Sequence, residues 1–271
     1  MKLNIGRIPF LVCAPFFYEF LKKENNSPFF NFIDGSPQDH NRALKNNTID
    51  LSPASSITYA QNPDQYVLSS TLCTSSRFEV QSVKLFSQKP IEKLANESIH
   101  LTKQSATSVA LLKILLSQYY NIEPKYIENT SYQLETARLL IGNEALLETH
   151  AGNFKYQYDL ESLWEEWQKV PFVFGAWIIH QNALSVDKKP LLEEYLKKTE
   201  SSVASFKASP SSALEIWLQK YPVQLPSNTI FSYYDSLDYE FTEERKKSLK
   251  LFYKLAAQNS IIPSAPKLKF L

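Results

Sequence analysis

The chain has 271 residues, 44% of them hydrophobic and 21% charged, so it can bury a large core and lies far from the polar compositions that stay disordered. Twenty-nine basic residues against 28 acidic ones leave a net charge of +1, which excludes a whole-protein field for nucleic acid or an anionic membrane. Any anion must be read locally. Cys13 and Cys73 are the only cysteines and fit neither a disulfide framework nor a zinc-ligand spacing, so a reduced, cytoplasmic home is expected. The apolar stretch from Ile8 to Leu21 is broken by Pro9, Pro15 and Glu19, which does not fit an export signal. No apolar run reaches the roughly 18 residues a membrane-spanning helix needs.

In chain order, Lys2 to Ile8 reads as a strand, and Phe16 to Lys23 carries apolar residues at helical spacing. Phe29 to Ile33 is a second strand, ended by Asp34-Gly35-Ser36-Pro37 and followed by a polar helix from Gln38 to Lys45. Ile49-Asp50-Leu51 is a short strand leading to Ser55-Ser56, whose hydroxyls are placed to cap a helix from Ile57 to Ala60. Val80 to Phe86 is a strand that leaves this unit. Strands at Ser98 to Leu101, Lys125 to Glu128, Leu139 to Ile141, Lys155 to Asp159 and Phe172 to Ile179 then alternate with helices. The most apolar of these helices runs from Val109 to Tyr119 behind Ser105 to Ser108. Beyond Lys188 the pattern is helical: Leu191 to Lys198, Ser211 to Leu218 and Thr242 to Gln258. This alternation predicts an α/β protein with parallel pairing and two lobes. The first is residues 1–86 with 180–271, and the second is 87–179.

The sequence has no glycine-rich nucleotide loop and no paired-histidine metal motif, and its five glycines leave few places to cradle a phosphate. Three hydroxyl clusters stand out: Ser55-Ser56, Thr74-Ser75-Ser76 and Ser105 to Ser108, each read as a strand-to-helix turn. Each either caps its own helix or offers helix amides to a carboxylate, and three at the carboxyl ends of parallel strands fit a ligand cleft. His150, in a predicted loop, is either a surface histidine or the best titratable base. The aromatics lack a basic stripe and read as core.

Several segments resemble the chorismate dehydratase family of the futalosine route to menaquinone. They are Gly6-Arg7-Ile8-Pro9-Phe10-Leu11, Ile49 to Ala60, Ser105 to Leu116, Leu140 to Leu146, Tyr158-Asp159-Leu160 with Trp164 and Trp167, and Pro171 to Phe174 with Trp177. The resemblance implies a fold like the type II periplasmic binding proteins, with a ligand cleft between two lobes and no metal or organic cofactor. It implies that chorismate, a small molecule with two carboxylates, loses water to give 3-[(1-carboxyvinyl)oxy]benzoate. It matches Ser82 to the family's active-site serine, and Ser55, Ser56, Thr107 and Ser108 to its substrate-contacting turns. The family usually has an active-site asparagine where this chain has Val12, and an aspartate where it has Asn143. A related branch, the dihydroxynaphthoate synthases, uses a histidine base for which His150 is the analogue. The N-terminal segment lacks that branch's Cys-Pro-Asn-Asp-Thr stretch. Without such a base, a substrate carboxylate would remove the ring proton. A carboxylate-binding protein of the same fold is the rival reading, and a homo-oligomer stays open.

Overall fold

The computed structural model describes residues 2–22, 28–128 and 136–271. The chain opens with β1 (Leu3–Arg7), a short 3-10 turn at Leu11–Cys13 and α1 (Ala14–Lys22). The predicted last residue of that helix, Lys23, lies outside the described residues. Next come β2 (Phe30–Asp34) and α2 (Pro37–Lys45), where Ser36 and Asp39 form a reciprocal capping box with Pro37 in the first turn. β3 (Leu51–Ser55), the single-turn helix α3 (Ile57–Gln61) and β4 (Tyr66–Ser76) complete this part. The chain then passes to β5 (Val83–Ser87), β6 (Ser98–His100), α4 (Ala106–Ile114), β7 (Lys125–Ile127) and β8 (Ala137–Ile141). After α4 the helix widens into a π-type turn that ends at Tyr119. α5 (Gly142–Ala151), β9 (Tyr156–Asp159) and α6 (Leu160–Gln168) lead to the return strand β10 (Phe172–His180). α7 (Lys189–Ala208), α8 (Pro210–Lys220), α9 (Ser227–Asp235), β11 (Leu237–Glu240) and α10 (Glu243–Gln258) finish the fold.

Two sheets result. One has the strand order β11-β4-β10-β3-β1-β2 and the other β7-β6-β8-β5-β9. Pairing is parallel from β3 through β1 to β2 and from β7 through β6 to β8, as alternation predicts. It is antiparallel where β10 enters between β3 and β4, where β11 joins β4, and around β5. The expected lobe limits therefore move by one strand at each end: β5 pairs in the second sheet and β10 in the first. The reason is that the chain crosses between β4 and β5 and again between β9 and β10, so β5 and β10 each begin after a crossing and belong to the sheet they enter. β4 escapes the sequence reading because Ser69, Ser70 and Thr71 interrupt its apolar alternation. Thr74, Ser75 and Ser76 accordingly lie within a strand and not at a turn into a helix.

The C-terminal helices cover the first sheet. α1 packs under α7 and α8, and Trp177 of β10 meets Phe16, Phe17 and Tyr195 at ring separations of 5.4, 5.9 and 5.6 Å. Each such fully buried ring removes a large apolar area from water, about 1.5 to 3 kcal/mol per side chain before entropy is counted. The buried apolar residues of both lobes form one contiguous cluster. No helix among the described residues is long and apolar enough to cross a membrane.

Candidate active site

Between the sheets lies a cleft that is partly open to solvent. Its walls come from the β1–α1 loop, the end of β3, the crossing before β5, the N-terminus of α4, and the β8–α5 junction. This is where an open α/β sheet places its ligands. None of the described lining residues carries a charge or an imidazole; the polar ones include Ser55, Thr74, Ser82, Gln104, Ser105 and Ser108. Cys13 also lines the cleft, but burial pushes its thiol up to about 12, so it stays protonated.

Ser82 sits in a tight turn made by Gln81 at φ 60°, where its own amide donates to the Val80 carbonyl at 2.6 Å. Its hydroxyl lies 3.0 Å from the phenol oxygen of Tyr233. The Ser82 carbonyl accepts from the Gly142 amide at 2.7 Å, which ties this turn to the start of α5. Gly142 adopts φ +60°, and a Cβ there would stand 3.1 Å from the Phe10 ring, so a side chain would push the β1–α1 loop away.

α4 begins with Ser105, whose Oγ accepts from the Ser108 amide at 3.1 Å and lies 2.8 Å from the Ser108 hydroxyl. That cap leaves the first-turn amides of Ala106 and Thr107 without an intrahelical partner at the positive end of the helix dipole. The expected mirror of this site on α3 is not formed. Ser56 makes no side-chain cap there. The Ile57 amide donates instead to Thr107 Oγ1, at 3.0 Å, and Ser56 Oγ lies 3.2 Å from the same atom while donating to the Val173 carbonyl at 2.8 Å. Thr107 and Ser56 thus bond each other across the lobes and do not line the cleft; Ser55 and Ser108 do.

The other expected positions divide in the same way. Val12 lines the cleft. Asn143 stands beside it and closes it: its Oδ1 accepts from the Leu11 amide at 3.2 Å, joining α5 to the opposite lobe. His150 is exposed in the last turn of α5, whereas the cleft meets this helix at Gly142. Eight residues at 1.5 Å each separate the two by about 12 Å. The loop predicted around it is helix, ended by Gly152 in the left-handed conformation.

Three residues that the sequence reading left in the core belong to this site. Tyr233 reaches Ser82, Tyr234 Oη donates to the Leu11 carbonyl at 2.7 Å, and Tyr239 Oη donates to the Val12 carbonyl at 3.0 Å. All three phenols are held well above their ordinary pKa, first of all by burial, and so remain neutral donors. Tyrosines in an aromatic-rich chain gave no signal beyond their clustering near one another in sequence.

Residues 3–258 match the model of a family described as menaquinone biosynthesis. The chain belongs to that family. A curated relative, the chorismate dehydratase of Thermus thermophilus, is 32% identical over 181 residues. The match takes in 59% of this chain and 64% of the relative, a little under two thirds of its length. Among solved structures, protein AF1704 from Archaeoglobus fulgidus is 20% identical, covers 96% of this chain and 98% of its own, and superposes with a TM-score of 0.78. The periplasmic aliphatic sulphonate binding protein SsuA from Escherichia coli, 14% identical, covers 97% of this chain and 94% of its own with a TM-score of 0.68. The family's member therefore has the two-lobed fold of the periplasmic binding proteins, as the resemblance implied.

Proposed function

We propose that this chain is a cytoplasmic chorismate dehydratase of the futalosine route, acting on chorismate as a small-molecule substrate. The observation that carries the reading is a mostly apolar cleft whose polar lining residues include Ser55, Thr74, Ser82, Ser105 and Ser108, with no charged side chain among its described lining residues, in a member of the menaquinone biosynthesis family. Loss of the ring hydroxyl and the neighbouring ring proton makes the ring aromatic, so the reaction runs downhill once the groups are positioned. One substrate carboxylate rests at the α4 N-terminus, where Ser105 and Ser108 line the cleft at the positive end of the helix dipole. Ser82 donates a hydrogen bond to the departing ring oxygen. The second carboxylate, on the carboxyvinyl arm, takes the ring proton. The C–H electron pair becomes the new ring π bond, and the C–O pair leaves with the hydroxide. That hydroxide and the abstracted proton together make the water released.

Incubating the purified protein with chorismate and following the mass of the small molecule tests this. A product lighter by one water, with the absorbance of an aromatic ring, is the expected result. Chorismate recovered intact from protein that binds it would replace this reading with that of a carboxylate-binding protein of the same fold.

A further inference from the structure

We infer that Tyr233 is a positioning residue that donates its hydrogen bond to Ser82 and thereby aims the Ser82 hydroxyl proton into the cleft. The inference rests on the dehydratase reading and adds to it a residue outside the cleft lining. The two oxygens are 3.0 Å apart, both side chains are buried, and Ser82 faces the cleft while Tyr233 stands behind it. Either hydroxyl has the geometry to be the donor, so chemistry decides the direction. A phenol is the stronger donor and an aliphatic hydroxyl the stronger acceptor. With the phenol proton on Ser82 Oγ, the serine's own proton has to point elsewhere, and the open side is the cleft. A chain running from tyrosine through serine to substrate also polarises the second bond, which strengthens it as negative charge grows on the departing oxygen.

The surroundings keep Tyr233 in place. Its ring lies 5.7 Å from that of Tyr234, which is itself tied to the Leu11 carbonyl, while Tyr239 holds the next carbonyl in the same loop. α9 and β11 thus fix the serine and the facing loop from one side. A residue that acts only through Ser82 has a signature that a merely structural one lacks: its loss matters only while Ser82 is present.

The test is a double-mutant cycle with Tyr233→Phe, Ser82→Ala and the pair, with each variant's melting temperature as the folding control. Tyr233→Phe is expected to lower kcat about tenfold with little change in KM, the effect of one hydrogen bond made stronger in the transition state. The double variant is expected to be no slower than Ser82→Ala. Replacing Tyr233 with 3-fluorotyrosine, which keeps the donor, is expected to hold kcat near the parent's. Parental kcat in Tyr233→Phe, losses that multiply in the double variant, or a tenfold loss with fluorotyrosine would each overturn the inference. If the parent binds chorismate without converting it, the dehydratase reading falls and the same cycle is read in the dissociation constant, where multiplying losses again overturn the inference. A parent that neither converts nor binds chorismate overturns both.

Discussion

Val12 stands where the resemblance implies an asparagine. Its carbonyl is held by Tyr239, and its side chain faces the cleft with nothing to donate or accept. Asparagine has nearly the same volume, so the exchange restores a polar contact without reshaping the loop. One neutral hydrogen bond contributes roughly 0.5 to 1.5 kcal/mol, and about 1.4 kcal/mol of barrier is tenfold in rate. Val12→Asn is therefore expected to raise kcat/KM for chorismate about tenfold. A well-folded variant that is no faster would mean that the cleft is organised around an apolar residue here. The second departure is milder. Asn143 supplies an acceptor to the Leu11 amide, a role that aspartate fills equally well, so the exchange of acid for amide keeps the closing contact and removes a charge from the rim of the cleft.

At the scale of elements, α6 secures both crossings between the lobes. Asp159, at its N-cap, accepts from the Glu161 and Ser162 amides of its own helix and from the Val80 and Gln81 amides of the first crossing, the last at 2.7 Å. Two positions on, the carboxylate of Glu161 accepts from the Phe172 amide, where the second crossing enters β10. Burial holds both carboxyls above their ordinary range, Glu161 well above it, and the amides only partly oppose the shift. A carboxyl whose pKa is higher folded than unfolded contributes its stability below the unfolded value, and that contribution is lost as pH rises toward the folded value. For Glu161 the loss begins near pH 4.3, about the ordinary glutamate value, and continues upward through the raised one. Glu161→Gln keeps an acceptor for the Phe172 amide and cannot ionise. Its melting temperature relative to the parent is therefore expected to rise between pH 5 and pH 8. A difference that stays flat over that interval would show that folding does not raise the pKa of Glu161.

Across the whole molecule, the lobes are coupled at several points. Thr107 bonds Ser56 and the α3 amide, and Ser117 beyond α4 meets Asn259 at 2.9 Å. With one apolar cluster running through both lobes, neither can lose its packing without exposing its neighbour. Calorimetry is expected to show a single unfolding transition, with the calorimetric and van't Hoff enthalpies equal. Two separated transitions would mean that the lobes unfold independently.

The amino-acid sequence by itself determined the α/β alternation, the capped helices and most strands, because each depends on spacing and on residues within a few positions of one another. Its hydroxyl clusters marked Ser55 and Ser108, and the family resemblance marked Ser82 and Val12; all four line the cleft. Only the tertiary structure decided which sheet each strand enters, since β5 and β10 are alike in local pattern and differ only in their partners. It alone separated Ser56 from Ser55 and Thr107 from Ser108, because adjacent residues in a turn point in different directions and one of each pair faces the other lobe. It alone took His150 out of the site, by extending a helix where a loop was expected. And it alone brought Tyr233 to Ser82, 151 residues away along the chain, a contact that no local pattern encodes because it depends on the last helices folding back over the first sheet.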